Sequence, residues 1–149
     1  MSIIDMRPPR IAMALTLIAA VLHWSLNIWE GFSFSCLWGG AILALAGFSL
    51  MMWSWGLFKK GNIAICPKAN TISLITNGPY RFTRNPMYLG FVLILAGLAL
   101  CVGTPPFYLS AMVYFVIINR VFCPYEESKL INSFGCEYIQ YMRSVRRWV

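Results

Sequence analysis

The sequence predicts an all-α integral membrane protein: four transmembrane helices, a cytoplasmic loop and a C-terminal interfacial helix, all in one domain. Three observations carry that expectation. Only 11% of the 149 residues are charged and 59% are hydrophobic, whereas soluble domains carry about 25% charged residues. Four apolar stretches approach the roughly 20 residues that a helix needs to cross hydrocarbon. The 12 Lys and Arg are confined to some of the flanking segments and absent from others.

The first stretch, Ile11 to Trp29, has no small-residue cleavage site and is read as a retained span, not a removed signal peptide. His23 and Asn27 lie one turn apart near its far end and suit an interhelical hydrogen bond. The second stretch, Phe34 to Phe58, puts Gly40, Ala44 and Gly47 along one helical face. Small residues in that pattern let another backbone approach closely, either within the bundle or in a homodimer. The third and fourth, Met87 to Val102 and Pro105 to Phe122, are joined by Gly103-Thr104-Pro105-Pro106. Such a joint stops one helix and starts the next, which predicts an antiparallel hairpin. Beyond it, Pro124 to Met142 spaces Leu130, Phe134, Tyr138 and Met142 four residues apart, the stripe of an amphipathic interfacial helix that Gly135 divides. Pro124, Glu126 and Glu127 suit its first turn, where the dipole favours carboxylates.

Orientation follows from the basic residues, which resist translocation. Arg7 and Arg10 precede the first span; Lys59, Lys60, Lys68, Arg81 and Arg84 lie between the second and third; Arg120, Lys129, Arg143, Arg146 and Arg147 end or follow the fourth. Both termini and the 59–86 loop are therefore expected in the cytoplasm. Anionic headgroups on that face account for the net charge of +7, and no nucleic-acid partner is implied. The five cysteines show no C-x-x-C pair and no zinc-ligand spacing, so no metal site is expected.

The loop is long for so small a bundle, and connections beyond about 15 residues tend to be functional when they are not disordered. Ile63, Ile65, Ile72, Leu74, Ile75, Tyr80 and Phe82 give it enough apolar surface to fold back on the bundle or the interface. It ends in NGPYRFTRNPMYLG, Asn77 to Gly90, a mixture that packing alone does not require. The predicted topology brings the entry to the third span, Arg120, and the Glu126-Glu127 pair to one side of the membrane. A polar pocket there, open sideways to lipid, suits a soluble cosubstrate meeting a lipophilic one.

These residues resemble the isoprenylcysteine carboxyl methyltransferase and phospholipid methyltransferase superfamily of membrane enzymes. Its signature is G-P-Y or G-x-Y, then R-H-P-x-Y-x-G, a helical hairpin, an E-E pair and F-G-x-E-Y. The matching residues are Gly78-Pro79-Tyr80, Arg84-Asn85-Pro86-Met87-Tyr88-Leu89-Gly90, Glu126-Glu127 and Phe134-Gly135-Cys136-Glu137-Tyr138. The similarity runs from about Ile72 to Val145. It implies S-adenosyl-L-methionine as methyl donor, bound without a Rossmann fold beneath a cytoplasmic loop. Carried over by position, the donor contacts are Ile72, Ser73, Leu74, Ile75, Tyr80, Asn85, Pro86, Met87, Tyr88 and Glu126. On the implied mechanism Arg120 orients an acidic acceptor, and Glu126 or Glu127 takes a proton from an amine acceptor. The family's usual His is Asn85 here, which can position but cannot titrate near neutral pH. The arginine usual just before the glutamates is displaced to Arg120.

Other readings are a sterol-reductase-like NADPH enzyme, a small transporter, and a structural membrane subunit. The chain is short for the first. The second normally needs an acidic residue in its first span, which Ile11 to Trp29 lacks. The third leaves the motif without a purpose.

Overall fold

The computed structural model describes residues 7–26, 34–60 and 74–149. Among them every regular element is helical: α1 (Pro8–Leu26), α2 (Leu37–Lys60), a single 3-10 turn (Gly78–Arg81), α3 (Pro86–Val102), α4 (Pro105–Ile117), α5 (Cys123–Phe134) and α6 (Cys136–Ser144). A wider π turn, Ile118–Phe122, carries α4 directly into α5. Among the described residues, three helical stretches are long and apolar enough to cross a membrane: Pro8–Leu26, Leu37–Lys59 and Pro105–Phe134. The 17-residue α3 is shorter, spanning about 25 Å at 1.5 Å per residue. Asn27, Glu30, Gly31, Ile63, Ile65, Cys66, Lys68, Ile72 and Ser73 lie outside the described residues.

α3 is the spine, with α2 on one side and α4 on the other, and α1 completes the bundle against α4. The α2–α3 seam is made by backbone. A Cβ at Gly97 would stand 2.6 Å from the Gly40 carbonyl oxygen and 2.7 Å from the Ala44 nitrogen. Gly47 and Gly90 repeat the arrangement, each Cβ position falling within 2.7 Å of the other's carbonyl oxygen. The small-residue stripe thus serves packing within the chain, and its complement is the pair Gly90 and Gly97 on α3.

The α3–α4 hairpin turns where Gly103 adopts φ +77 and its N–H bonds the Ala99 carbonyl at 2.7 Å. Thr104 is extended and Pro105 opens α4, where a missing N–H costs nothing. At that same end Phe34 and Cys36 donate backbone bonds to Gly103 and Leu100, tying the start of α2 to the end of α3.

The core is small. Ile11, Ala12, Leu95, Tyr114, Ile118, Phe122 and Cys123 form its main cluster, and Ala19, Ala99 and Phe107 a second at the hairpin end. Met13, Leu17, Ile18 and Val21 on α1, Ile42, Leu45 and Phe48 on α2, and Leu109, Met112 and Val116 on α4 all face outward. So broad an apolar girdle needs lipid around it. His23 packs edge-on against Phe107 with centroids 6.1 Å apart, and its Nδ1 has no hydrogen-bond partner among the described residues.

Candidate active site

The Asn77–Gly90 stretch folds as two linked devices. Gly78 takes φ +63, and a Cβ there would meet Leu57 Cδ1 at 2.8 Å, so the turn lies directly on the end of α2. Pro79 is the second residue of the 3-10 turn. That turn drives Tyr80 inward to 8% exposure, edge-on to Phe58 at 5.8 Å. The Tyr141 hydroxyl donates to the Tyr80 carbonyl oxygen at 2.6 Å, fastening the turn to α6. Burial first, then Tyr141 and Glu126, holds the Tyr80 hydroxyl above the ordinary phenol range. Burial also raises the Tyr141 hydroxyl, to about 12.

The second device is the entry to α3. Asn85 caps the helix, Pro86 occupies its first turn, and the first turn's N–H groups, those of Met87 and Tyr88 among them, have no intrahelical acceptor. Tyr88 projects toward α5, where its hydroxyl donates to Glu126 Oε1 at 2.5 Å. Residues 38 positions apart in the chain meet in that bond.

The two adjacent glutamates face different partners. Glu126 is half-buried and takes Tyr88. Glu127 is 7% exposed and lies between two arginines. Arg147 grips it with a fork, Nε to Oε1 at 2.9 Å and Nη2 to Oε2 at 2.6 Å. Arg84 Nη1 stands 3.2 Å from the same Oε1 as an ion pair off the hydrogen-bond line. The bond to Glu127 holds the Arg147 guanidinium above its ordinary range.

Of the remaining positions predicted from the sequence, Leu74 and Ile75 are half-buried just ahead of the 3-10 turn, Pro86 is buried, and Asn85 and Met87 are half-buried. Ile72 and Ser73 lie outside the described residues. Arg120 is exposed on the π turn and, among the described residues, has no hydrogen-bond or ion-pair partner. The structure therefore joins Tyr88 to Glu126 by a hydrogen bond, sets Tyr80 within the electrostatic reach of Glu126, and leaves Arg120 outside that bond.

Sequence reading missed the C-terminal tail. Arg147 reads there as one more topogenic charge, yet it bonds Glu127 and both oxygens of Asn119, each at 3.3 Å. Trp148 Nε1 also donates to Asn119 Oδ1, at 3.0 Å. Pro124 explains why Asn119 is open to them. In an α-helix the Cys123 N–H would bond the Asn119 carbonyl, but in the π turn it bonds Ile118. Pro124 has no N–H with which to replace it. The only available signal was the proline itself, placed inside a continuous helix.

The family described as phospholipid methyltransferase matches residues 35–137. This chain belongs to the phospholipid methyltransferase family. It is an integral membrane protein of that family, and the match covers α2 to the start of α6. It is 37% identical over 75 residues to protein-S-isoprenylcysteine O-methyltransferase A of Arabidopsis thaliana, covering 48% of this chain and 36% of that one. Protein-S-isoprenylcysteine O-methyltransferase B of the same plant is 35% identical over the same shares. The aligned part is thus little more than a third of either plant enzyme's length. An uncharacterized protein of Haemophilus influenzae is 36% identical over 63 residues, 42% of this chain and the whole of that one. No solved structure matches.

Proposed function

We propose that this protein is an S-adenosyl-L-methionine-dependent methyltransferase that acts on a lipophilic acceptor at the cytoplasmic membrane interface. Four spans, with α3 as the short one, leave both termini and the site on the cytoplasmic side, where the basic residues concentrate. The observation that carries the reading is the Tyr88–Glu126 hydrogen bond, because it joins the two halves of the family motif in one place.

The residues present fit the donor. The open N–H groups at the start of α3 suit its carboxylate, the Tyr80 and Tyr88 rings suit its sulfonium or adenine, and Glu126 suits its ammonium or ribose hydroxyls. Bound there, the donor supplies a methyl group made electrophilic by a sulfonium. The protein's work is alignment in a dry site, which for well-oriented reactants is worth roughly 7–11 kcal/mol. A carboxylate acceptor needs no base, since it attacks as an anion and the C–S electron pair stays on sulfur. An amine acceptor must lose a proton, and Glu126 is the carboxylate available to take it. Glu127, occupied by two arginines, is assigned to structure. Arg120, on the exposed face, is the group left to orient an acidic acceptor arriving from the lipid.

The test is calorimetric titration of detergent-solubilised protein with S-adenosyl-L-methionine, S-adenosyl-L-homocysteine and NADPH. The two sulfur compounds should bind and NADPH should not. Glu126→Ala removes a charged hydrogen-bond partner, an interaction worth about 1.5–3 kcal/mol, so affinity should fall roughly 10- to 100-fold. Binding of NADPH alone would sink the methyltransferase reading.

A further inference from the structure

We propose that the C-terminal tail is a strut for the methyl-donor site and that Arg147 is its positioning residue; this rests on the methyltransferase reading above. The tail touches the entry to α3, the π turn and α5, while the turn that presents Tyr80 is held by Tyr141 on α6. Three consecutive residues at the entry to α3 bond to it: Thr83 Oγ1 donates to the Arg147 carbonyl at 2.8 Å, the Arg84 N–H to the Arg146 carbonyl at 3.0 Å, and Asn85 Nδ2 to the Arg147 carbonyl at 3.4 Å. From the same residue the guanidinium reaches the other way, to Glu127 on α5 and Asn119 on the π turn. One residue thus ties the entry of the helix that carries Tyr88 to the helix that carries Glu126, beside the direct Arg84–Glu127 ion pair.

Three features distinguish this from an interfacial arginine that merely faces headgroups. Arg143 and Arg146 are exposed, as that role requires, while Arg147 is half-buried with its donors engaged. The carbonyl it caps on Asn119 has no helical partner, because of Pro124, so a built vacancy in the helix bonding is matched to this side chain. The bond from Asn85 occupies the one position where the family's His is replaced, and it directs that amide toward the tail. Asn85 thereby serves the strut.

Arg147 acts through geometry and not charge alone, which makes Lys a poor substitute. An ammonium is a point charge that cannot span both Glu127 oxygens and the Asn119 carbonyl as a planar fork does.

The experiment is titration of the full-length detergent-solubilised protein and its variants with S-adenosyl-L-homocysteine, which needs no knowledge of the acceptor. Arg147→Ala and Arg147→Lys should both bind at least tenfold more weakly than wild type, and Arg143→Ala should bind as wild type does. Asn119→Ala, which leaves the Glu127 charge paired and so puts less of the fold at risk, should weaken binding severalfold. It decides the matter if the Arg147 variants do not fold. In a double-mutant cycle, Glu127→Gln with Arg147→Met should lose little more than either alone. Folded Arg147 variants that bind as wild type, full rescue by Lys, or an Asn119→Ala indistinguishable from wild type would each overturn the strut. Failure of wild-type protein to bind would instead remove the methyltransferase reading, and the strut with it.

Discussion

Adding one methyl group to Gly97 tests the seam on which the bundle depends. Its Cβ would start 2.6 Å from the Gly40 carbonyl oxygen and 2.7 Å from the Ala44 nitrogen. Ordinary contact begins near 3.4 Å, so α2 and α3 must part by roughly 0.8 Å at that level. Both obstacles are backbone and cannot swing away. Helix association in lipid rests on close van der Waals packing, with no hydrophobic drive to compensate a widened gap. Overpacking of this kind costs about 1–3 kcal/mol. Gly56 is the control on the same helix pair, since nothing lies within 4 Å of its added Cβ. In thermal unfolding of detergent-solubilised protein followed by Trp fluorescence, Gly97→Ala should unfold at lower temperature, and Gly56→Ala should match or exceed wild type. Equal stability of Gly97→Ala and wild type, or equal losses in the two variants, would refute the backbone-contact argument.

Two other substitutions bear on the site and its support. Tyr88→Phe keeps the ring and loses only the 2.5 Å bond to Glu126; affinity for S-adenosyl-L-homocysteine should fall about tenfold with little change in unfolding temperature, and unchanged affinity would show that the bond does not serve the site. Gly135→Ala meets no atom within 4 Å, yet Gly135 holds φ 53 and ψ −122, a region closed to other residues, so stability should drop by about 1–3 kcal/mol despite the open space, and an unaltered unfolding curve would contradict this.

The sequence disclosed those features whose cause is local or periodic. Gly103 with Pro105 announces the hairpin because only their backbone preferences are involved. Gly40, Ala44 and Gly47 announce a close contact because their absent side chains are visible in the text. Gly135 marks the break between α5 and α6 for the same reason. The identity of the partner was not legible: nothing in the α2 stripe names Gly90 and Gly97, which the fold alone brings opposite. The different duties of Glu126 and Glu127 were hidden too. Neighbours in a helix point about 100° apart, and what each one meets depends on a tail 20 residues further on. Arg147 could not be told from Arg143 or Arg146 by type or by distance from the membrane. What separates them is burial, the fork on Glu127 and the carbonyl left open by the π turn, and that turn is a response to Pro124 which no periodicity records.

The two stabilising arrangements act on different parts of one short helix, the glycine seam on one face of α3 and the tail on its entry. At about 100° per residue, Tyr88 lies on the far side of α3 from Gly90 and Gly97. The seam presses α3 against α2, and the tail ties its entry to α5, so both contacts bear on the place where Tyr88 meets Glu126. A displacement of α3 away from α2 is therefore a displacement toward the site. This predicts that Gly97→Ala, though it touches no site residue, weakens S-adenosyl-L-homocysteine binding at temperatures where the variant remains folded. Loss of stability with undiminished affinity would mean instead that α2 alone gives way, and that α3 owes its place entirely to the tail.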